Sequence, residues 1–222
     1  MRKAHLIIGF VMVYIGGLNA QCTLNTTPNS TITIACGQTV TLSTFATGST
    51  PLLTTDFDLG GAGPGWTSGG GSGFGQLCGP GANNTPYYWA STAGAGTPQL
   101  TTVGFDLSCG GFVSFDMAYS TQGGATPCEG PDLPDEGVTF QYSTDGGTTW
   151  TTIQYWDPNG GNDPMLTAWN NYSFAIPVAA QSASTMFRWI QFNSSGNCCD
   201  NWGLDNVVIT PGLCSVGSYD WS

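Results

Sequence analysis

Residues 128–150 of the chain read CEGPDLPDEGVTFQYSTDGGTTW. Two runs rich in β-branched and aromatic residues, 137–143 and 148–155, flank the sequence Asp145-Gly146-Gly147. An Asp-Gly pair between two such runs is a strong signal for a tight β-hairpin turn. Asp145 is assigned to this turn rather than to a ligand set, because an Asp before Gly has a local structural reason to be there. The hairpin predicts antiparallel β-structure.

Strand patterns continue on both sides of this hairpin. Residues 112–119 alternate, so that Val113, Phe115, Met117 and Tyr119 share one face. Further strand patterns occupy 31–34, 39–44, 172–176, 186–192 and 204–210, and the first two of these are predicted to form a short hairpin. No stretch carries a sustained helical period of apolar residues. Many short strands separated by turn residues predict an all-β, antiparallel jelly-roll β-sandwich with a short N-terminal β arm.

Charge and composition exclude several classes of function. The chain has 3 Lys and Arg residues, 14 Asp and Glu residues and 1 His, which gives a net charge of −11. Arg2, Lys3 and His5 lie at the extreme N-terminus, so Arg188 is the single cation of the remaining chain. A Ser-His-Asp triad, a Lys Schiff base and a His-ligated zinc site therefore cannot be assembled there. Nucleic acid is excluded as a partner because nothing neutralises its phosphates.

A glycosidase needs two carboxyl groups on either side of a bond. Asp135 and Glu136 are adjacent in the sequence, so their side chains diverge. We therefore expect no enzymatic activity.

The first 20 residues have the pattern of a secretory signal peptide. A basic start precedes the apolar run 6–17, and Ala20 supplies a small residue at the cleavage position. The apolar run is too short to span a bilayer. Lipidation at Cys22 is an alternative, but Gln21 before it is not the small residue that such a site needs. We expect a secreted protein, located outside the cell or on its surface.

All the cysteines follow this leader. They are Cys22, Cys36, Cys78, Cys109, Cys128, Cys198, Cys199 and Cys214. An even number in an exported chain favours disulfide bonds. Zinc is the alternative, but paired CxxC spacing is absent. Proximity favours a Cys22–Cys36 bond, a vicinal Cys198–Cys199 bond is possible but strained, and the sequence alone does not select the other pairs.

Composition divides the chain into four segments. After the leader 1–20, residues 21–50 form a Thr-rich β arm and 51–211 the main domain. Within that domain, the Gly/Ser-rich stretch 60–75 lacks the Lys of a phosphate-binding loop and is expected to be a flexible surface loop. The tail 212–222 carries Cys214 and two aromatic residues, as if a further strand began there. We therefore expect the natural protein to continue as a larger surface protein.

The stretch 128–150 resembles a reelin-type subrepeat. That family places a Cys and a Pro/Asp loop before Glu-Gly-Val, then a strand ending in Tyr-Ser and an Asp-x-Gly-x-x-Trp hairpin. The sequences FRWIQF at 187–192 and DNWGLDNVVI at 200–209 are similar to two later strands of the family. The resemblance covers about residues 55–210 and extends to modules in large surface adhesins of gliding bacteria of the Bacteroidetes group.

The resemblance implies a jelly-roll β-sandwich with structural calcium, within the wider group of adhesive and carbohydrate-binding sandwiches. It also implies a Cys78–Cys128 disulfide, after which Cys109 and Cys214 are expected to meet Cys198 and Cys199. The lysines with which reelin contacts its receptor have no counterpart here, so binding of that kind is not expected.

Calcium binds several carboxylate oxygens at once. Asp56 and Asp58 open the main domain and Asp205 lies in its closing strand, and these two strands can be neighbours in a jelly roll. Glu136 and Asp116 are further candidate ligands. The alternative is that all five are solvated surface acids of a very acidic protein.

Arg188 lies between Phe187 and Trp189 in a predicted strand and points to the face opposite theirs. We expect it to form a structural ion pair with one of the many carboxylates.

Several aromatic residues lie near predicted loops, where they could stack on sugars. The candidates are Trp66, Tyr88 within the sequence Tyr87-Tyr88-Trp89, Trp156 and Trp169. The alternative is that their side chains fill the core of the sandwich.

These patterns predict a calcium- and disulfide-stabilised adhesion module at the cell surface. Its partner would be a surface glycan or an extracellular protein, with no direct membrane span and with further domains on the same polypeptide. A carbohydrate-binding module of a secreted enzyme and a spacer of an extracellular filament are the alternatives.

Overall fold

The computed structural model describes residues 21–26, 30–35, 49–67, 71–91, 96–194 and 199–214. The chain divides into two compact units, Met1–Phe45 and Ala46–Ser222. In the first unit, β1 (Gln21–Thr26) pairs with β2 (Ser30–Ala35) in an antiparallel hairpin. The hairpin predicted between 31–34 and 39–44 is not tested, because 39–44 lies outside the described residues.

The second unit consists of two antiparallel sheets. Its strands are β3 (Leu53–Thr55), β4 (Trp66–Thr67), β5 (Ser72–Gly75), β6 (Tyr87–Ala90), β7 (Gln99–Thr102), β8 (Gly111–Tyr119), β9 (Val138–Ser143), β10 (Thr151–Trp156), β11 (Asn170–Ala175), β12 (Met186–Gln191) and β13 (Trp202–Pro211). One helical turn, α1 (Pro164–Thr167), and one 3-10 turn (Val178–Ala180) interrupt them. The predicted all-β sandwich is confirmed.

Strand order places the closing strand at the centre of one sheet. The five-stranded sheet has the order β10-β9-β12-β7-β4. The six-stranded sheet has the order β11-β8-β13-β6-β5, with β3 also paired to β13. The predicted Asp-Gly-Gly hairpin joins β9 to β10. Strand β13 therefore contacts β3, β6 and β8, so residues from distant parts of the sequence meet around it.

Aromatic side chains from both sheets fill the core. Phe115 of β8 lies with its ring centroid 5.2 Å from that of Phe140 in β9 and 5.0 Å from that of Trp189 in β12. The Phe140 and Trp189 rings stack at 4.8 Å. Aromatic pairs at these separations add to the free energy of burying each ring. The alternation predicted for 112–119 is confirmed, because Val113, Phe115, Met117 and Tyr119 are all buried.

The Gly/Ser-rich stretch 60–75 is not a plain surface loop. It contains β4 and β5, and its two aromatic side chains face the core. The Trp66 ring lies 5.9 Å from the Trp189 ring, and the Phe74 ring lies 5.6 Å from the Tyr88 ring. Gly73 in β5 permits the close approach of a further ring, because a Cβ there would lie 2.6 Å from the Trp89 ring. The prediction of a flexible loop was therefore wrong for these strands.

Candidate functional site

Two of the predicted calcium ligands face each other across neighbouring strands. Asp205 of β13 and Asp116 of β8 are register partners, and the Asp205 side chain is fully buried. The Asp205 oxygens accept hydrogen bonds from the backbone N–H groups of Ala82 (3.0 Å) and Asn206 (2.8 Å). Burial raises the pKa of Asp205 to about 6, against the effect of these bonds.

Asp56 and Asp58, two further predicted calcium ligands, lie at the surface. Asp56 and Asp58 are exposed, and the Asp58 N–H donates to an Asp56 carboxylate oxygen in a local turn (3.2 Å). The charges of Asp116 and Asp58 both add to the raised pKa of Asp205, so the structure brings these three carboxylates into one neighbourhood. The Asp116 oxygens accept from the side-chain amides of Asn171 (2.8 Å) and Asn206 (2.7 Å).

A second and tighter group of carboxylates surrounds Glu136. Among the described residues, Asp132, Glu136 and Asp200 form the group whose ligand atoms all lie within 4.8 Å of one another. The Glu136 side chain is 2% exposed and that of Asp200 is 1% exposed. Glu136, predicted together with Asp205, therefore belongs to a different cluster. We call Asp132, Glu136 and Asp200 the acidic triple.

The electrostatics of the acidic triple favour a positive counter-charge. Glu136 Oε2 accepts hydrogen bonds from the N–H groups of Asp132 (3.2 Å) and Leu133 (2.9 Å). Burial and the neighbouring Glu136 raise the pKa of Asp132. Like charges at such short range repel strongly unless a cation or a proton offsets them. A purely oxygen donor set suits a hard cation such as Ca²⁺, which takes about six to eight oxygens.

A buried glutamine lies beside the acidic triple. Gln191 is fully buried, and its Nε2 donates to the backbone carbonyls of Glu136 (2.7 Å) and Asp200 (3.1 Å). Its Oε1 accepts no hydrogen bond from the described residues. The Gln191 amide therefore lies beside the backbone of two of the three acidic residues.

Sequence reasoning found Glu136 but missed Asp132 and Asp200. Asp132 lies four residues before Glu136 in the Pro/Asp loop, a spacing that offered a signal. Asp200 opens the closing motif 200–209, and nothing in the sequence places that motif beside residue 136.

The aromatic candidates divide by burial. Tyr88 is fully buried between Phe74 and Trp202, and Trp156 is 7% exposed in the core beside Phe115. Neither ring can stack on an external sugar, so the prediction of a binding role was wrong for both. Trp66 is half-buried against the core, and its Nε1 donates to Thr55 Oγ1 (3.1 Å). Trp66 borders a cleft of about 280 Å³ together with Phe74 and Tyr88.

Trp169 borders a different open cleft. The cleft has a volume of about 300 Å³ and lies beside β6, β8 and β13. Tyr87 and Gly203 lie next to Trp169 in it, and Ser120 and Asn201 contribute polar groups. The Trp169 ring packs edge to face with the Tyr87 ring at 5.0 Å. We call this space the Trp169 cleft.

Two disulfides are fully described, and one of them closes a wall of this cleft. Cys78 bonds to Cys128, the pairing that the family resemblance implied, with their Cα atoms 5.2 Å apart. Cys109 bonds to Cys214 rather than to Cys198 or Cys199, so that expectation was wrong. Strand pairing explains this, because Gly111 and Pro211 are register partners close to the two cysteines.

The other cysteine predictions are not settled by the described residues. Cys199 is disulfide-bonded. Cys36, Cys198 and the side chain of Cys22 lie outside the part of the chain that the structure describes. The predicted Cys22–Cys36 bond is therefore not tested.

Arg188 forms no ion pair among the described residues, contrary to expectation. Its Nε donates to Gln141 Oε1 (2.7 Å), and its guanidinium carbon lies 4.2 Å from the centre of the Trp150 ring. The Phe192 ring is 5.7 Å away. Aromatic faces thus take the place of the expected carboxylate.

The described part of the chain has no helix long and apolar enough to cross a membrane.

Comparison with solved structures identifies similar folds. The chain is similar to the K3 cleaved adhesin domain of Lys-gingipain from Porphyromonas gingivalis, with 16% identity and a TM-score of 0.52 over 74% of this chain and 100% of that one. It is also similar to the CBM22-1 xylan-binding domain of Xyn10C from Paenibacillus barcinonensis, with 15% identity and a TM-score of 0.45 over 77% of this chain and 99% of that one. The K3 likeness supports the β-sandwich fold.

The family model for reelin subrepeat B matches residues 70–210. The matched stretch contains Glu136, the Asp-Gly-Gly hairpin and the closing strand β13, which carried the resemblance in the sequence. The chain therefore belongs to the reelin subrepeat B family.

Proposed function

We propose that this chain is an extracellular adhesion module, which binds a partner surface and catalyses no reaction. The observation that carries the proposal is the match between its sandwich and the whole of the K3 adhesin domain, together with membership of the reelin subrepeat B family. Disulfide bonds at two places in the sandwich suit a protein that works outside the cell.

The contacts that Arg188 makes within the sheet support a non-enzymatic role. This side chain is the single Lys or Arg after the leader, and Gln141 and Trp150 hold it in the sheet. An imidazole base, a nucleophilic Lys or an anion clamp of several cations would need other cationic or imidazole groups. Rigid display of loops requires none of these groups.

Adhesion can be tested directly with beads coated with the chain from Gln21 onward. Retention under flow would be measured on protein-coated and glycan-coated surfaces, and on cells of the source organism. We expect beads coated with the folded chain to be retained more strongly than control beads coated with reduced and unfolded protein. Retention no higher than that control on every surface would overturn adhesion, and release of sugar from the glycan surface would overturn the non-enzymatic assignment. Self-association of beads without any surface would favour a filament spacer.

We further propose that the acidic triple holds a structural calcium ion. Asp132, Glu136 and Asp200 would supply carboxylate oxygens, and Gln191 Oε1 offers a further acceptor nearby. The ion would offset the repulsion among carboxylates that are mostly buried, and it would tie the loop before β9 to the start of β13. This proposal keeps Glu136 from the ligand set predicted from the sequence and leaves out Asp56, Asp58, Asp116 and Asp205, because the ligand atoms of the acidic triple all lie within 4.8 Å of one another.

Thermal unfolding with and without calcium tests this site. A ligand at about 100 times its Kd stabilises the folded state by about 2.7 kcal/mol, which raises Tm by several degrees in a domain of this size. We expect Glu136→Gln and Asp200→Asn to lose this rise and the matched variant Asp58→Asn to keep it. If Asp205→Asn or Asp58→Asn abolishes the rise while Glu136→Gln keeps it, the ion binds at the other cluster.

We also propose that the chain is exported through its leader 1–20 and forms the N-terminal part of a larger surface polypeptide. The mass of the native protein from its source cells tests both points. A secreted species far heavier than 23.1 kDa would support the larger adhesin. A species near the mass of residues 21–222 alone would support a free-standing binder, and retention of 1–20 would contradict cleavage.

A further inference from the structure

We propose that the Trp169 cleft binds one terminal sugar unit of a neutral glycan. The inference rests on the proposed adhesive function and names its site and its class of ligand.

The cleft has the size and position of a small-ligand site. Its volume of about 300 Å³ is at the lower end of the range for ligand pockets. It lies on the outward side of the six-stranded sheet, because Ala118 and Gly203 alternate with the core residues Met117 and Leu204. The Cys78–Cys128 disulfide borders it. Sheet and disulfide together make the cleft a preformed space.

The Trp169 ring is held in one orientation. Its Nε1 donates to the Pro80 carbonyl (3.0 Å), and Tyr87 packs against it. The floor beneath the ring is Gly203, where an added Cβ would lie 2.6 Å from Trp169 Cη2. The ring stays half-exposed at the border of the cleft. An aromatic surface fixed in this way can pack against the C–H face of a sugar ring without losing further conformational entropy.

Polar side chains that line the cleft are also held in place. Ser120 Oγ donates to Asn201 Oδ1 (2.8 Å), and Asn201 Nδ2 donates to the Ala90 carbonyl (3.1 Å). The Ser120 hydroxyl oxygen can still accept hydrogen bonds from a ligand hydroxyl. Thr121 adds an exposed hydroxyl beside it. An aromatic face with a few convergent polar groups is the arrangement that orients a ligand rich in hydroxyls.

The absence of charge defines the class of sugar. None of the described residues that line the cleft is Asp, Glu, Lys, Arg or His. A sialylated, sulfated or uronic sugar would find no cation there, and the net charge of −11 would repel it. A neutral hexose or N-acetylhexosamine at a chain end meets no such penalty.

A glycan array tests the proposal with the oxidised chain from Gln21 onward. Neutral termini are glucose, galactose, mannose, fucose and N-acetylhexosamines, and acidic termini are sialic acid, uronic acids and sulfated sugars. We expect binding to a subset of the neutral termini and at least tenfold weaker binding to their acidic counterparts. Preferred binding to acidic termini, or binding to none of the glycans, would overturn the proposal.

Two variants locate the binding on the protein. Trp169→Ala removes the stacking ring, and Thr121→Trp fills the cleft from an exposed position. We expect each to weaken binding of the neutral glycan at least tenfold. Thr151→Trp, at an exposed position on the edge strand β10 of the other sheet, is the matched control and should bind normally.

The variants also separate this proposal from the adhesive function. Unchanged glycan binding by Thr121→Trp would overturn the cleft, even if Trp169→Ala proved unstable. If the unmutated chain binds no glycan on the array while beads coated with it still adhere, the adhesive function stands and the proposal for the cleft fails. Loss of both bead adhesion and neutral-glycan binding in Thr121→Trp, but not in Thr151→Trp, would support the cleft as the adhesive contact.

Discussion

Arg188 contributes to stability through packing and not through an ion pair with a described carboxylate. Its guanidinium lies over Trp150 and bonds to Gln141, and burial lowers its pKa from the usual value. We expect Arg188→Ala to lower the free energy of unfolding by about 1–2 kcal/mol, since a cation–π contact and a charged hydrogen bond are lost together. Urea unfolding measures the change. Arg188→Met keeps much of the apolar stem and should lose less, and an unchanged midpoint in Arg188→Ala would contradict this account.

Asp145 should make the stability of the β9–β10 hairpin dependent on pH. Hydrogen bonds from the side chain and backbone of Thr149, and from the Ser143 hydroxyl, lower the pKa of Asp145 to about 2. A lowered pKa means stability that is present above the unfolded value of about 4 and lost as pH falls through about 2. We expect Asp145→Asn to melt below the wild type at neutral pH, with a gap that closes between about pH 4 and pH 2. A gap independent of pH in thermal melts would contradict the assignment.

Single side chains show where sequence reasoning stops. The motif identified Glu136 and the turn role of Asp145, because each belongs to a local pattern. The sequence could not show that Trp169 is accessible while Tyr88 and Trp156 are buried. These three residues and Trp66 all lie near predicted loops, and only the packing decides which rings remain accessible to solvent. Arg188 was assigned to the correct face but to the wrong partner, because Trp150 and Gln141, which contact it, come from the β9–β10 hairpin.

At the scale of elements, regular alternation was predictable and short strands were not. Strands β8, β9, β12 and β13 were anticipated because their side chains alternate or match a family motif. Strands β4 and β5 were missed, since two and four residues are too few to carry a periodic signal. Pairing with β7 and β6 defines them, and in β5 this pairing overrides the low strand propensity of glycine.

The loop between β8 and β9 depends on a close approach of two backbones. A Cβ at Gly130 would collide with the carbonyl of Ser120, and the Gly130 N–H donates to Thr121 (3.1 Å). We expect Gly130→Ala to lower the free energy of unfolding by about 1–3 kcal/mol, because the backbone must shift. Gly61→Ala is the control, since nothing lies within 4 Å of its Cβ position. Equal urea midpoints for the two variants would show that the loop accommodates the methyl group.

At the scale of the whole molecule, backbone hydrogen bonds of Asn201 connect the segments that carry the acidic triple to the polar wall of the Trp169 cleft. The Asn201 N–H donates to the Glu129 carbonyl (2.7 Å), and the Ser120 N–H donates to the Asn201 carbonyl (3.0 Å). Ser120 and Asn201 line the cleft. Asp200 directly precedes Asn201, and Glu136 lies seven residues after Glu129. An ion at the acidic triple would therefore hold the polar wall of the cleft in place. Only the folded chain brings these segments together, so the sequence could name some of their residues but not their proximity.

The Cys78–Cys128 bond should stabilise the whole sandwich and, locally, this same wall. It closes a segment with a sequence separation of 50, and a loop of that length gives about 2–4 kcal/mol through the lost entropy of the unfolded chain. We expect Cys78→Ser with Cys128→Ser to lose that amount in urea unfolding. Amide exchange of residues 120–130 should also accelerate in this variant, because the loop loses its covalent anchor. Cys109→Ser with Cys214→Ser is the matched control: it removes a longer closure, with a separation of 105, and should destabilise the fold without speeding exchange selectively at 120–130. Equal acceleration of exchange at residues 120–130 in both variants would mean that the Cys78–Cys128 bond stabilises the whole sandwich and has no separate local effect on this loop.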